Sequence, residues 1–219
     1  MAPAANPSKR PDRWAAHRAA RRAELIEAVV TTVRERGPAI DMDDVAAVSG
    51  VAKPIFYRYF KDKADLYLAV GRDAAERLVD EVVAAVEGSG HPREMLAAGI
   101  GTFLAGVERD PELYRFVLQR PATASAVSDY SAVVGLHISR LTGDLLREAG
   151  LDSGVAEPWG FAMVGAVRTA AERWLDQRTL SREALTTYLT DLLWSGAGSA
   201  ATAARRQTPG APATVTRIS

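Results

Sequence analysis

Apolar residues recur along this chain at spacings of three and four, and no stretch shows the strict alternation of apolar and polar residues that a half-buried β-strand requires. A sheet-built core is thereby excluded, and the periodicity predicts an all-α fold. Glycine and proline then cut the pattern into segments. A first helix over 16–36 carries Leu25, Ala28, Val29, Thr32 and Val33 on one stripe and ends at Gly37-Pro38. A short second helix follows Asp41, which is placed to cap it, and turns Val45, Ala46 and Val48 inward. After Ser49-Gly50-Val51, Pro54 suits the first position of a third helix that runs to Phe60. Asp62 and Asp65 open a long fourth helix over 63–87, stopped by Gly88-Ser89-Gly90. Further helices are expected over 92–108, 111–119, 123–149, 155–177 and 182–195, nine in all.

The ends read differently. Residues 1–15 hold Pro3, Pro7 and Pro11 among alanines and basic residues, and residues 197–219 are rich in Ala, Gly, Ser, Thr and Pro. Both lack the apolar surface that would offset ordering entropy, so both are expected to be disordered. Between them the supply is ample: 47% of the chain is apolar and 25% charged, enough for a sizeable core.

Charge is balanced in total, with 27 basic and 27 acidic residues, but not in distribution. Residues 1–70 carry 12 basic and 9 acidic groups, whereas residues 71–196 carry 12 and 18. The electropositive end points toward a polyanion; the acidic middle serves solubility, or keeps a polyanion at the basic end alone. The basic N-terminal run (Lys9, Arg10, Arg13, Arg18, Arg21, Arg22) either reflects a preference for Arg and solubility or forms an arm that contacts phosphates or a minor groove.

Several function classes drop out. With no cysteine, disulfides, thiolate metal sites and cysteine nucleophiles are impossible, which fits a cytoplasmic setting. His17, His91 and His137 are too scattered to hold a metal. The GxSxG, HExxH and GxxxxGK[ST] motifs are absent, so neither an enzyme nor a cofactor is expected. The longest run without a charged residue, 192–204, is 13 residues of mostly small side chains, too short and too polar for a membrane span.

Chemistry concentrates between Asp41 and Val70. A short helix with small Ala46 and Ala47, a glycine turn, a Val51 wedge and a second short helix form the layout of a helix-turn-helix, in which small residues let two helices cross closely. The second helix of that motif enters the major groove with its N-terminal residues near base edges. Here those are Lys53, Ile55, Tyr57 and Arg58, with Pro54 among them and Tyr59 close behind. Lys and Arg can donate to guanine O6 and N7, Ile can touch a thymine methyl, and tyrosine hydroxyls can reach phosphate. Lys61 and Lys63 follow at the next helix start, where cationic heads and free N–H groups favour phosphate. Phe56 and Phe60 are expected in the core. A solvated face of an ordinary bundle would also carry lysines and tyrosines, though seldom in one such frame, and a helical binding or scaffold protein without DNA is the competing class.

This segment resembles the DNA-binding region of tetracycline-repressor-type (TetR-family) transcriptional regulators. The run Gly50-Val51-Ala52-Lys53, then Phe56-Tyr57-Arg58-Tyr59-Phe60, then Lys63 and Leu66 follows that family's signature at the same spacings. Pro54 stands where the family commonly has a small residue, and Tyr59 where it often has His, so no relative's operator can be assumed. The resemblance implies a homodimeric repressor: a DNA-binding domain over 16–62, and a domain over 63–196 that binds a small molecule and dimerises through helices near 155–177 and 182–195. Ala162, Ala166 and Ala170, with Leu185, Tyr188, Leu189, Leu192 and Leu193, would suit such an interface. Two recognition helices would then meet successive major grooves of a near-palindromic double-stranded operator.

The resemblance further implies an effector cavity on whose helices lie Phe103, Tyr114, Phe116, His137, Trp159, Phe161 and Met163, residues that could equally be plain core. Arg168 would meet an acidic ligand head group or pair with Glu172 four residues on. The runs DPELYRFVLQRP and MVGAVRTAAERWLD are similar to actinobacterial TetR-type regulators of lipid metabolism, which implies a hydrophobic small-molecule effector, a fatty-acyl group or another extended apolar ligand.

Overall fold

The structure, a computed structural model, describes residues 9–120 and 123–206. Of the two expected disordered tails, residues 1–8 and 207–219 lie outside the described residues. Among those described there are nine helices and no strand: α1 Lys9–Arg36, α2 Met42–Ser49, α3 Lys53–Tyr59, α4 Lys63–Glu87, α5 Pro92–Arg109, α6 Pro111–Gln119, α7 Ala124–Glu148, α8 Ala156–Gln177 and α9 Arg182–Arg206. The all-α expectation holds.

Two helices outrun it. α1 starts seven residues before residue 16, because Pro11 sits in a first turn whose N–H groups have no helical partner anyway. α9 continues past Gly196 and Gly198 to Arg206, where Ala197, Ala200, Ala201, Ala203 and Ala204 supply the strongest helix former at five positions.

The chain divides into two compact units. The first takes residues up to Ala84 together with Thr102–Ser131; the second takes Ala85–Gly101 and residues from Ala132 onward. In the first unit, α1 packs against α2, α3 and α6. Its core joins Leu25, Val29 and Val33 of α1, Val45 of α2, Phe56 of α3, Leu66 and Val70 of α4, and Phe116 of α6. The short helices could not stand alone; burial on α1 and α4 holds them. Thr123 is buried and its hydroxyl donates to the carbonyls of Val117 and Arg120, which fixes the chain where α6 gives way to α7.

Arg120 closes this unit. Its Nη2 donates to the Pro38 carbonyl at 2.7 Å and the Ile40 carbonyl at 2.8 Å, both in the loop between α1 and α2. Its guanidinium lies 4.5 Å from the Tyr67 ring centre and 4.7 Å from that of Phe116, while those two rings meet edge-on at 5.1 Å. Burial raises the Tyr67 phenol above its ordinary pKa, and its hydroxyl donates to Ile40 O.

In the second unit α7 and α8 cross so closely that Gly160 has no room for a side chain: a Cβ there would lie 2.5 Å from the Gly135 carbonyl oxygen and 2.9 Å from the Ser139 nitrogen. Leu185 and Leu189 of α9 are buried, as are Trp174 and Leu175 of α8, and Arg93 of α5 pairs with Asp191 of α9 at 2.5 Å. No helix among the described residues is long and apolar enough to cross a membrane.

Candidate nucleic-acid interface

Three pieces of local chemistry set the helix-turn-helix. Asp41 caps α2 as expected, its carboxylate accepting from the Asp43 and Asp44 N–H groups at 2.7 and 3.0 Å, while Asp44 accepts from the Asp41 N–H at 3.0 Å. That backbone donor, with Arg36 beside it, holds the Asp44 carboxyl below its ordinary pKa. Gly50 ends α2 at φ +66°, in the left-handed region, and donates to Ala46 O. The Ser49 hydroxyl then accepts from the Val51 N–H at 3.2 Å, which fixes the turn.

α3 follows with Ala52 as its N-cap, so Pro54 is the second helical residue rather than the first; its missing N–H costs nothing there either. Phe56 and the following Phe60 are 1% and 2% exposed and anchor the helix. Tyr57 is 48% exposed, and Arg58 is exposed beside it. Pro54, Lys61 and Lys63 are also exposed, and the Lys63 ammonium lies 5.3 Å above the Tyr67 ring. At the start of α4 the Asp65 N–H donates to Asp62, and the Lys61 N–H donates to Asp65.

The remaining expected contacts are placed differently. Ile55 and Tyr59 are half-buried and pack against the core, because they flank Phe56 and Phe60 on a helix of only seven residues. Lys53 forms an ion pair with Asp43 of α2, and that carboxylate raises the lysine above its ordinary pKa. A DNA phosphate or base at Lys53 must therefore displace or share Asp43. The surface of the motif is thus a mixed one: exposed cations at Arg58, Lys61 and Lys63, a tyrosine at 57, and one lysine already aimed by an acid.

Sequence reasoning missed Asp43 and two arginines. Arg22 of α1 donates to the Tyr59 carbonyl at 2.7 Å, lies 4.0 Å from the Phe60 ring centre and stands 3.8 Å from Asp65. It ties the end of α3 to α1. Arg120, described above, ties the loop before α2 to α6. No helical spacing links either arginine to the carbonyls it binds, which are 37 and about 80 residues away in the chain.

The expected effector residues are split. Phe103 and Tyr114 lie in the first unit, half-buried, with rings edge-on at 6.1 Å. Phe116, in the same unit, is fully buried in the core around Tyr67, so packing accounts for it. His137, Trp159, Met163 and Arg168 belong to the second unit and are half-buried. His137 lies two residues from both Gly135 and Ser139, on the side of α7 away from the α8 crossing, and its Nε2 is buried without a partner among the described residues. Arg168 pairs with Glu172 at 2.8 Å, the alternative weighed from its spacing. Phe161 is 41% exposed and packs against Gly135. Among the described residues no group of three or more His, Asp or Glu could hold a metal ion.

Comparison with known proteins bears on this geometry directly. A family model described as bacterial regulatory proteins, tetR family, matches residues 25–70, and one described as tetracyclin repressor-like, C-terminal domain, matches residues 81–211. An uncharacterized HTH-type transcriptional regulator of Mycobacterium tuberculosis is 33% identical over 186 residues, covering 84% of this chain and 80% of its own. The HTH-type transcriptional activator FasR of Mycolicibacterium smegmatis is 28% identical over 180 residues, covering 80% of this chain and 82% of its own. Among solved structures, the Bacillus subtilis transcriptional regulator FadR, in complex with stearoyl-CoA, superposes with a TM-score of 0.66 at 17% identity, over 80% of this chain and 98% of its own. A glycine-turned helix pair with an anchored inner face and a cationic outer one, matched at both its DNA-binding and C-terminal regions, identifies the chain as a member of the TetR family of helix-turn-helix transcriptional regulators, which are DNA-binding proteins and not enzymes.

Proposed function

We propose that this regulator works as a homodimer on a palindromic operator, with one α3 per half-site, and that it is a repressor released by a small apolar effector of the fatty-acyl class. The observation that carries the reading is the division of α3, whose Phe56 is buried while Tyr57 and Arg58 are exposed at one end of a fixed frame. In this reading Arg58 reads a base edge, Tyr57, Lys61 and Lys63 grip phosphates, Lys53 exchanges Asp43 for DNA, and Pro54, Ile55 and Tyr59 set the helix's depth.

Dimerisation is supported by apolar groups left outside the second unit's core. Tyr188 and Leu192, one turn apart on α9, are 62% and 66% exposed, and Ala162, Ala166 and Phe161 are exposed on α8. Binding in successive major grooves would require the two recognition helices of such a dimer to stand about 34–36 Å apart.

Effector response is supported by the route from α6. The Phe103–Tyr114 pair offers an apolar contact on α5 and α6, and the same α6 leads to Arg120, which holds the loop entering α2. An effector touching Tyr114 would thereby bias the helix-turn-helix without a large rearrangement; a coupling of about 1–3 kcal/mol changes operator affinity about 5–150-fold. Phe116 and Arg168 are left out of the proposed contacts, being occupied by the core and by Glu172. The acyl class is drawn from the stearoyl-CoA bound to the Bacillus subtilis structure. The activator named among the relatives favours a second reading, in which the same complex recruits polymerase.

Thermal unfolding across an acyl-CoA chain-length series tests the effector. Stabilisation that rises with chain length and falls in Tyr114→Ala is expected; no shift at any length excludes the class. A reporter driven by the promoter of the protein's own gene, with and without the regulator, separates repressor from activator.

A further inference from the structure

α1 is longer than the helix-turn-helix needs. Its core stripe begins at Leu25, which is also where the family's DNA-binding region begins to match, yet α1 starts at Lys9. The 16 residues from 9 to 24 form, at 1.5 Å per residue, an extension of roughly 24 Å. Every residue from Trp14 to Ala20 is exposed, and Trp14 is 76% exposed, so packing within the first unit does not explain the extension. A free peptide of this length would be marginal as a helix; continuation from the packed part of α1 removes the nucleation cost.

Its chemistry is lopsided. Residues 9–22 hold six basic groups, Lys9, Arg10, Arg13, Arg18, Arg21 and Arg22, against Asp12 alone. Positions 10, 13, 17 and 21 follow one another at spacings of three and four and so share a stripe that includes His17. Arg21 is neutralised by Glu24 at 2.5 Å; Arg18 is exposed and makes no ion pair among the described residues. The base of the extension is fixed beside the recognition helix, where Arg22 binds the Tyr59 carbonyl that ends α3 and faces Asp65 in the first turn of α4. Lys61, in the connection between α3 and α4, and Lys63, the first residue of α4, are both exposed.

We propose that the N-terminal extension of α1 is a second DNA-binding element, a helical arm that takes the phosphate backbone next to the groove occupied by α3. It rests on the reading of α3 as the groove-entering helix. The arm supplies affinity without sequence preference, since a predominantly basic helix whose residues 14–20 are all exposed matches a row of phosphates and offers no rigid frame for base edges. An anionic lipid surface is the weaker match: apart from Trp14 and His17, the uncharged positions of 14–20 are alanines, which give little apolar area to insert.

The test uses the full-length protein with Lys9, Arg10, Arg13 and Arg18 all replaced by Gln, a residue that keeps helix propensity. Binding to a fluorescein-labelled mixed-sequence duplex of about 30 base pairs is followed by anisotropy between roughly 50 and 200 mM KCl, beside vesicles containing phosphatidylserine. The expected result is a salt dependence shallower by about one in the log–log slope for each phosphate the arm no longer neutralises, with affinity at least about tenfold lower at the low-salt end and unchanged thermal unfolding. An unchanged slope and affinity in a variant that still binds the duplex overturns the arm. So does loss of vesicle binding with DNA binding intact, which would assign the helix to lipid. Failure of the unmodified protein to bind any duplex is a different result and sinks the DNA-facing reading of α3 itself.

Discussion

Replacing Arg120 by Met would cut the tie between α6 and the loop that enters the helix-turn-helix while keeping most of the aliphatic stem. The change removes two hydrogen bonds from a charged donor, to Pro38 O at 2.7 Å and Ile40 O at 2.8 Å. Such bonds contribute about 1.5–3 kcal/mol each, and stacking of a guanidinium on an aromatic ring adds about 0.5–2 kcal/mol. Against this, the Arg120 Nε is buried without a partner among the described residues, a burden of about 1–3 kcal/mol that the substitution relieves. Ile40 O also keeps the Tyr67 hydroxyl, at 3.3 Å. The balance is a destabilisation of about 2–4 kcal/mol, or roughly 5–15 °C in Tm for a chain of this size. Urea and thermal unfolding monitored by circular dichroism measure it. Arg120→Lys keeps the charge but cannot fork or lie flat on Tyr67 and Phe116, so it should lose about half as much. A Met variant within about 0.5 kcal/mol of the unmodified protein would refute the reasoning, because an effect that small is what an unremarkable surface position gives.

Gly160→Ala should destabilise the second unit by about 1–3 kcal/mol, since the new methyl meets the Gly135 carbonyl and the Ser139 backbone, which cannot swing aside; the gain in helix propensity, about 1 kcal/mol, opposes but does not cancel this. A rise in Tm would contradict the close α7–α8 crossing. Tyr188→Glu with Leu192→Glu should leave the fold intact, both positions being exposed, and convert the particle to a single subunit by light scattering at micromolar concentration. Each apolar side chain buried at an interface contributes about 1.5–3 kcal/mol, and a two-fold axis counts it twice. An unchanged mass would move the interface elsewhere.

The frame of the fold was legible because its punctuation is local. Gly37-Pro38, the Asp41 cap, Gly50 and the Asp62–Asp65 start each act within four residues, and each sits where its side chain or backbone freedom demands. The limits of α1 and α9 were not legible, since Pro11 and the glycines after 195 carry opposite meanings at a helix end and inside a helix, and alanine content decides between them. At the interface, the period of α3 separates Phe56 from Tyr57 and Arg58 but leaves Ile55 and Tyr59 on the flank, where burial depends on the helices packed alongside. Arg22, Asp43 and Arg120 act across elements, so no spacing along the chain announces them. The residues expected at an effector site were the least legible: an aromatic at helical spacing looks the same whether it fills a core, as Phe116 does, or stays half-buried, as Phe103 does.

The outer face of α3 is where this protein would read DNA, and operator binding by single-residue variants measures that face most directly. On duplexes from the DNA flanking the protein's own gene, Arg58→Ala should weaken binding by about 1–3 kcal/mol and shrink the preference over a scrambled duplex, whereas Lys63→Ala should weaken both duplexes alike. Arg140→Ala, an exposed arginine of α7, should change neither. If Arg58→Ala instead binds the true and scrambled duplexes as the unmodified protein does, α3 does not read DNA in the way its geometry requires.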